Sequence, residues 1–385
     1  MNALPMQTLP PWRRAVLKVG SSLLAADAGG LTPRFAESLA AFVAASHAAG
    51  REVVVVSSGA VAAGRALLRA SAVRGGDLAA RQAMAALGQV SMIGLWQSLS
   101  ARPVAQVLLT HDDLRNRRRY LNARATLHGL LALQVLPVVN ENDTVAVDEL
   151  KLGDNDNLAA IVAALVDADL LLIASDVDAL YSADPRRDAA AQPILQVDAV
   201  TPAVMAMAGG RGSAAATGGM RTKLEAAQKA SAAGIPTALF DGRNAETVHA
   251  LAAGQLRGTL ICAPRNRLQA RKYWLLNVPA EPGCIHVDAG AARALSKGGA
   301  SLLPKGVIDA VGEFRRGDMV EIVGAGADGQ PFVVARGITQ YSAVVINQLA
   351  RSHTRDILQR LGYSYGENIV HRDDLVVTAD AGATS

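Results

Sequence analysis

The feature that most constrains the fold is an alternation of continuous apolar runs with Ala- and Leu-rich stretches between residues 14 and 260. The apolar runs are rich in β-branched residues, as in AVLKVG, EVVVVSSG, VLPVVNEND, DLLLIASD and IPTALF. Strands that are apolar at every position are buried on both faces, and helices between such strands favour a parallel sheet. We therefore predict an α/β/α sandwich with a largely parallel sheet, whose ligand sites lie at the carboxyl ends of the strands.

The pattern of the sequence changes after about residue 265. Short apolar runs separated by Gly-rich turns follow, and they are typical of a small β-barrel or sandwich. The polar and basic segment APRNRLQARKYW between the two regions is typical of a linker. Since 385 residues are enough for two domains, we predict an α/β domain over 12–265 and a small β-barrel domain over 280–376.

Composition argues against several classes of protein. Cys262 and Cys284 are the only cysteines, too few for a disulfide framework or a structural zinc site, and the seven histidines lack metal-ligand spacing. No apolar run approaches the roughly 20 residues that span a bilayer, and the N-terminus lacks the order of a signal peptide. We expect a soluble, cytoplasmic protein with no membrane partner. The net charge of +4 is weak evidence for a polyanionic partner, and the arginine run RNRRRYLNAR is typical of a solvated helix face or an oligomer contact.

Two lysines lie within a few residues of glycines, in segments where phosphate can bind. Lys18 ends the first apolar run in KVGSS, and the amides that follow at Gly20 and Ser21 can donate to phosphate oxygens. Lys223, in TGGMRTKLEAA, falls in the first turns of a helix, where the positive end of the helix disfavours a cation unless an anion is bound. Neither lysine requires a ligand. Lys18 can extend from a strand end into solvent, and Lys223 can lie too far along its helix to be affected by the helix dipole. KVGSS is not the G-x-x-x-x-G-K-[ST] loop, so a standard P-loop enzyme is disfavoured.

Short polar side chains are concentrated between residues 138 and 160, and they are Asn140, Glu141, Asn142, Asp143, Asp154, Asn155, Asp156 and Asn157. So many amides and carboxylates beside an apolar strand are either solvated or engaged by ligand and metal, because helix capping explains only one or two of them. Ser57 and Ser58 follow four valines, where they suit a bound carboxylate or phosphate, or cap a helix. Ser175 and Asp176 follow another strand, where they fit a nucleotide or an ordinary turn.

Several motifs, taken in order from about residue 14 to about residue 376, resemble the amino-acid-kinase family. They are VLKVGSSLL, VSSGAVAAGR, LNARATL, VVNENDTVAV, KLGDNDNLAA, LYSADPR, TGGMRTKLEAA, SLLPKGV and GYSYGENIVHRDDLV. NENDTVAV, GDNDN and the appended C-terminal domain set the chain apart from the family's kinases for acetylglutamate, aspartate, carbamate and UMP. The resemblance implies a transferase that uses ATP and Mg²⁺ to phosphorylate the γ-carboxylate of L-glutamate. The product would be L-glutamyl 5-phosphate, made in the first step of proline biosynthesis.

The resemblance also implies a role for each matching residue. Lys18 and Lys223 would hold the transferring phosphoryl group, and Asp156 would orient both lysines. Glutamate would be bound by Ser58, Asp143 and Asn155, with Asn140 and Asp154 nearby. The ATP site would be lined by Lys18, Gly20, Ser21, Ser175, Asp176, Thr217, Gly218, Gly219, Met220, Arg221, Thr222 and Lys223. No dedicated metal site is expected, since Mg²⁺ would travel on the ATP phosphates. Ser175 and Arg221 depart from the family, which usually has Thr and a small or polar residue there.

The partners that the resemblance implies are proline as a feedback inhibitor, a second copy of the chain in a dimer or tetramer, and a glutamyl phosphate reductase. Residues 284–376 resemble a PUA domain, which occurs in RNA-modifying enzymes. Ten basic and ten acidic residues give this segment no net charge, so RNA binding is left open. The alternatives are another kinase of the family, and an RNA-binding protein whose kinase fold has decayed. The presence of Lys18, Asp156 and Lys223 argues against decay.

Overall fold

The computed structural model describes residues 4–26, 29–68, 78–110, 113–114, 116–146, 155–188, 190–208, 219–263, 283–297, 299–325 and 330–378. The chain divides into two compact units, Met1–Arg267 and Leu268–Ser385. The predicted boundaries at residues 265 and 280 lie outside the described residues and stay predictions. In the described segments, no helix combines the length and apolar character that crossing a membrane requires.

The first unit is built on an eight-stranded sheet. The strands of this unit are β1 (Gln7–Thr8), β2 (Arg14–Val19), β3 (Glu52–Ser57), β4 (Val104–Leu109), β5 (Leu136–Glu141), β6 (Leu170–Ser175), β7 (Leu180–Tyr181), β8 (Pro193–Ile194), β9 (Gln196–Val197), β10 (Thr237–Asp241), β11 (Gln255–Leu256) and β12 (Gly258–Ile261). The sheet has the order β4-β5-β3-β2-β6-β10-β12-β9, while β1 pairs with β11 and β7 with β8. Every neighbouring pair in the large sheet is parallel except β10 and β12. The largely parallel sheet predicted from the sequence is therefore confirmed.

Helices cover both faces of this sheet. They are α1 (Ala36–Ala48), α2 (Ala60–Leu67), α3 (Leu78–Leu99), α4 (Arg117–Ala132), α5 (Asn155–Leu165), α6 (Pro202–Met207), α7 (Met220–Ala232) and α8 (Ala245–Ala252). One apolar core packs against α1, α3 and α8, and a second core packs against α4, α5 and α7. Strand β3 supplies Val53 and Val55 to the first core and Val54 and Val56 to the second. This alternation explains why the strand is apolar at consecutive positions.

The strand register brings the carboxyl ends of the central strands to one edge. Val19 of β2 pairs with Ser57 of β3 and with Ala174 of β6, and Ser175 pairs with Asp241 of β10. The polar side chains that follow these strands therefore meet at the same edge. Lys18 alternates with its neighbours along β2, so it shares a face with Val16, on the side of the sheet that α5 and α7 cover.

The second unit has its own sheet and its own core. Its elements are β13 (Gly283–Val287), α9 (Ala289–Ser296), β14 (Val307–Gly312), β15 (Met319–Ala325), β16 (Pro331–Thr339), α10 (Ala343–Leu349), α11 (Ile357–Leu361) and β17 (Val370–Val377). The sheet order is β14-β13-β15-β16-β17, and its pairs are antiparallel except β13 with β15. Ile285, Ile322 and Ile346 are among the fully buried residues of its core. The expected small β domain at the C-terminus is present.

Candidate active site

A buried carboxylate joins two lysines at the edge where the central strands end. Asp156 lies in the first turn of α5 and is fully buried. Its Oδ1 is 2.5 Å from Lys18 Nζ of β2, and its Oδ2 is 3.1 Å from Lys223 Nζ of α7. Thr222 Oγ1 donates a hydrogen bond to the same Oδ2 at 3.0 Å. Asp156 therefore fixes both ammonium groups with one side chain.

The cluster is set up to hold an anion. Burial acts to raise the pKa of Asp156, but the charges of Lys18 and Lys223 outweigh it and hold that pKa below its ordinary value. The ionised carboxylate compensates only one of the two ammonium groups, and both lysines are buried. Excess charge in a buried place is costly unless a counterion neutralises it. A bound phosphate or carboxylate would supply that neutralisation.

The local sequence explains how these groups are placed. A carboxylate in the first turn of a helix is favoured by the helix dipole, as for Asp156 in α5. A Cβ built at Gly20 would lie 3.5 Å from Lys18 Nζ and 3.8 Å from the Ala174 carbonyl oxygen. Glycine at this position therefore keeps the space beside the Lys18 ammonium open for a bound group.

A chain of side-chain amides lies next to the ion cluster. Asn155, the neighbour of Asp156, donates from Nδ2 to Asn140 Oδ1 at 2.9 Å and to Ser58 Oγ at 2.7 Å. The same Nδ2 lies 3.3 Å from the Ser57 carbonyl oxygen. These contacts join β3, β5 and α5 at one place. Ser58, Asn140 and Asn155, which the resemblance assigns to glutamate, are thus brought together by the fold.

The turn after β3 is stabilised by a contact with α3. Gly59 has a φ of 111°, a left-handed conformation that favours glycine, and it connects Ser58 to α2. Trp96 of α3 is fully buried, and its Nε1 donates to Ser57 Oγ at 2.8 Å. Ser57 Oγ in turn donates to the Ser58 carbonyl oxygen at 3.2 Å. The position of Ser58 is therefore fixed by a packed tryptophan on α3.

The remaining predicted residues are spread around this edge. Ser175 is buried at the end of β6 and donates to Asp176 Oδ1 at 3.3 Å. Asp143 is half-buried in the turn after β5, and Ser21 is exposed after Gly20. Gly219 precedes α7 and Met220 begins it, whereas Arg221 points along the helix surface, where its Nε is 3.0 Å from Glu225 Oε1. Three predicted residues lie outside the described residues, namely Asp154, Thr217 and Gly218.

Sequence reasoning missed two buried residues of this region, Gln89 and Trp96. Gln89 accepts a hydrogen bond from Asn140 Nδ2 at 3.0 Å, and Trp96 supports Ser57 as described. A signal was present in the sequence, because both lie at helical spacing from Ala85 and Met92, the apolar and inward face of α3. A lone glutamine on such a face is a buried polar group that needs a partner.

The arrangement fits the transfer of a phosphoryl group between anions. Buried cations held by a fixed carboxylate can neutralise charge on a phosphoryl group without reorganising. The adjacent amides and hydroxyl offer donors and acceptors for a small polar acceptor molecule. Both parts lie at the carboxyl ends of parallel strands, where ligands bind in this class of sheet.

A matching family model and two similar proteins agree with this interpretation. Residues 13–241 match the model of the amino acid kinase family, and residues 283–361 match the PUA domain. A protein of Xanthomonas oryzae named glutamate 5-kinase is 68% identical over 362 residues, covering 94% of this chain and 100% of that protein. A glutamate 5-kinase of Xylella fastidiosa is 64% identical over 376 residues, covering 98% of each chain. A UMP kinase structure from Bacillus anthracis has a TM-score of 0.47 at 15% identity, covering 66% of this chain and 98% of that one. From the family match and these two relatives, the chain belongs to the amino acid kinase family and, within it, to the glutamate 5-kinases that carry a C-terminal PUA domain.

Proposed function

We propose that this kinase transfers the γ-phosphoryl group of ATP to the γ-carboxylate of L-glutamate, giving L-glutamyl 5-phosphate in the first step of proline biosynthesis. The observation that carries the proposal is the buried cluster of Lys18, Asp156 and Lys223 beside the amide chain at Asn155. The names of the relatives support glutamate as the acceptor.

The two lysines have the charge and the burial needed to act on the transferring group. Negative charge spreads over the equatorial oxygens in the transition state, so catalysis requires positioning and charge neutralisation more than covalent chemistry. Lys18 and Lys223 supply two cations, one at each carboxylate oxygen of Asp156. Asp156 offsets the repulsion between them and holds them in place before substrate binds, which lowers the reorganisation needed during reaction.

The acceptor needs no general base in this scheme. A glutamate side chain has an ordinary pKa of about 4.3 and is already ionised at neutral pH. Ser58, Asn140 and Asn155 would hold the amino acid, and Asp143 would pair with its ammonium group. Asn155 directly precedes Asp156, so a substrate bound at the amide chain lies next to the phosphoryl-binding lysines.

The nucleotide would bind where β2, β6 and α7 meet the same edge. We assign to it Gly20, Ser21, Ser175, Asp176 and the segment before Lys223. Among the described residues no group of three or more His, Cys, Asp or Glu side chains could hold a metal ion. Mg²⁺ would enter on the ATP phosphates, whose charge it would partly neutralise.

Regulation and assembly extend the proposal. We infer that proline inhibits the enzyme at the glutamate site, because proline shares the α-carboxylate and ammonium of glutamate. A homo-oligomer and transfer of the labile acyl phosphate to a glutamyl phosphate reductase follow from the resemblance. RNA binding by the C-terminal unit is not part of the proposal, since that segment has no net charge.

The test is turnover of ATP–Mg²⁺ with L-glutamate in the presence of hydroxylamine, which traps an acyl phosphate as its hydroxamate. We expect hydroxamate from glutamate, less of it when proline is added, and none from aspartate or N-acetylglutamate. If added proline does not lower the yield of hydroxamate, the feedback proposal alone is overturned. Phosphorylation of aspartate or N-acetylglutamate instead of glutamate would keep the kinase and overturn the substrate assignment.

A further inference from the structure

Gln89 is a buried polar residue that the mechanism above does not use. It lies in α3, is 7% exposed, and accepts from Asn140 Nδ2 through its Oε1. The preceding residue, Gly88, packs so closely on α2 that a Cβ there would lie 1.9 Å from the Ala60 carbonyl oxygen. Because α2 begins directly after the Ser58 turn, this contact places Gln89 beside the amide chain.

The direction of every hydrogen bond in this chain of side-chain amides is set by one backbone carbonyl. The Ser57 carbonyl oxygen can only accept, so Asn155 must present its Nδ2 to it. The same Nδ2 reaches Asn140 Oδ1, so Asn140 must turn its own Nδ2 towards Gln89 Oε1. A flip of any one amide would set two oxygens or two nitrogens against each other. Gln89 is therefore left with its Nε2 as the end of the chain.

That terminal donor has no acceptor among the described residues. Gln89 Nε2 is fully buried and makes no hydrogen bond within the described part of the chain. A buried donor without a partner is unfavourable, and native structures rarely keep one unless a ligand or water completes it. Ser58 Oγ accepts from Asn155, and the described residues provide no acceptor for its hydroxyl proton. Two donors are thus left without an acceptor among the described residues, Gln89 Nε2 beside Asn140 and the Ser58 hydroxyl beside Asn155.

We propose that Gln89 is a substrate-binding residue, whose Oε1 fixes Asn140 and whose Nε2 donates to a carboxylate oxygen of the bound amino acid. The inference rests on the proposed function, because it takes that amino acid to be glutamate. Gln89 and Ser58 serve the carboxylate as donors, while Asp143 pairs with the ammonium group as proposed above. This set recognises a molecule that carries both groups.

The test compares two substitutions in the full-length enzyme. Gln89→Met keeps the shape and removes both polar atoms, whereas Gln89→Glu keeps the oxygen that accepts from Asn140 and removes the donor. We expect both to raise the glutamate KM by about 10- to 100-fold, as for a lost hydrogen bond to a charged group, with the ATP KM unchanged. Gln97→Met, the same change at an exposed position of α3, is the matched control and should leave both KM values unchanged.

The outcomes separate the possible roles of Gln89. A glutamate KM in Gln89→Met within about twofold of the wild-type value would overturn the inference. A wild-type KM in Gln89→Glu would show that Gln89 acts only by orienting Asn140, and would overturn the direct contact. If Gln89→Met does not fold, a wild-type glutamate KM in Gln89→Glu would still overturn the direct contact, since the added negative charge could only raise that KM. Failure of the wild-type enzyme to phosphorylate glutamate would instead overturn the proposed function, and the KM comparison would then use the acid that the enzyme does phosphorylate.

Discussion

At Asp156, one carboxylate holds two cations that would otherwise repel each other in a buried place. Both buried ammonium groups depend on this one carboxylate for compensation, so loss of the carboxylate affects both stability and chemistry. The hydrogen bond from Thr222 uses the remaining capacity of Oδ2 and ties the start of α7 to α5. The ion cluster is therefore a structural connection as well as a candidate catalytic group.

Asp156→Asn should lower both the activity and the stability of the enzyme. The variant leaves two buried ammonium groups without a counterion, which we expect to reduce the free energy of unfolding by about 3–5 kcal/mol. We expect kcat to fall by about 100- to 1,000-fold, since the lysines lose their fixed positions. Urea denaturation and steady-state kinetics measure the two effects, with the exposed Asp198→Asn as control. Wild-type stability in Asp156→Asn would contradict the role assigned to the ion cluster.

Lys223→Met should act on turnover rather than on glutamate binding. The substitution removes a cation from the transferring group but leaves the amide chain at Asn155 intact, so we expect kcat to fall by about 1,000-fold with a glutamate KM within about threefold. Lys229→Met is the control on the same helix, because Lys229 donates to Asn157 rather than to Asp156. Near-normal turnover in Lys223→Met would refute the assigned role.

At the scale of elements, α2 and α3 cross in backbone contact. A Cβ at Gly64 of α2 would lie 1.9 Å from the Met84 carbonyl oxygen, and one at Gly88 of α3 would lie 1.9 Å from the Ala60 carbonyl oxygen. Neither neighbour is a flexible side chain, so the helices must separate to admit a methyl group. The contact connects the Ser58 turn to the helix that supplies Gln89 and Trp96.

Gly88→Ala should destabilise the enzyme and weaken glutamate binding together. We expect a loss of about 1–3 kcal/mol from the forced separation of the helices, and a raised glutamate KM because α2 begins beside Ser58. Gly94→Ala is a close control, since a Cβ at Gly94 meets nothing within 4 Å. In that control the better helix propensity of alanine should add about 0.5–1 kcal/mol. Equal stability of the two variants would show that the contact is looser than described.

His47 makes the packing of α1 sensitive to pH. The pKa of His47 is lowered from 6.5 to about 4, first by burial and then by the charge of Arg102, while the charge of Glu52 acts to raise it. Between these two values the unfolded chain binds a proton that the folded chain does not, so stability falls as the pH drops from 6.5 towards 4. Between pH 7 and pH 5, we expect the urea midpoint of His47→Gln to fall less than the midpoint of the wild type. The exposed His249→Gln should behave as wild type, and an equal pH response in all three proteins would exclude His47 as the cause.

At the scale of the whole molecule, the two units have separate cores. The residues of the ion cluster, the amide chain and both sheet cores belong to the first unit, and the core around Ile285 and Ile346 belongs to the second. Nothing in the proposed chemistry requires a side chain from residues 268–385.

A chain that ends at Arg267 should therefore fold and keep its activity. We expect its kcat to lie within about threefold of the full-length value, because the transition-state contacts are unchanged. Kinetics on the shortened protein, with its thermal unfolding recorded alongside, give the answer. A folded but inactive product would show that the second unit contributes to catalysis.

The fold was predictable because its strongest signals are local. The valines of β3 and the leucines of β6 are apolar at consecutive positions, which only a strand covered on both faces explains, and glycines beside polar clusters mark the strand ends. The side-chain partners are not local. Gln89 bonds to a residue 51 positions away, and Lys223 to one 67 positions away. Those pairings depend on the strand order β4-β5-β3-β2-β6, which differs from chain order and which no short pattern encodes.

The buried hydrogen bond from Trp96 to Ser57 has an optical consequence. Indole emission responds to the polarity around its ring nitrogen, and this nitrogen contacts the residue next to Ser58. The chain has three tryptophans, so replacing Trp12 and Trp274 by phenylalanine would leave Trp96 as its one tryptophan, in contact with the residue before Ser58 of the proposed glutamate site. Movement of the Ser58 turn when the amino acid binds would then be recorded directly as a change in emission, without a label and without turnover.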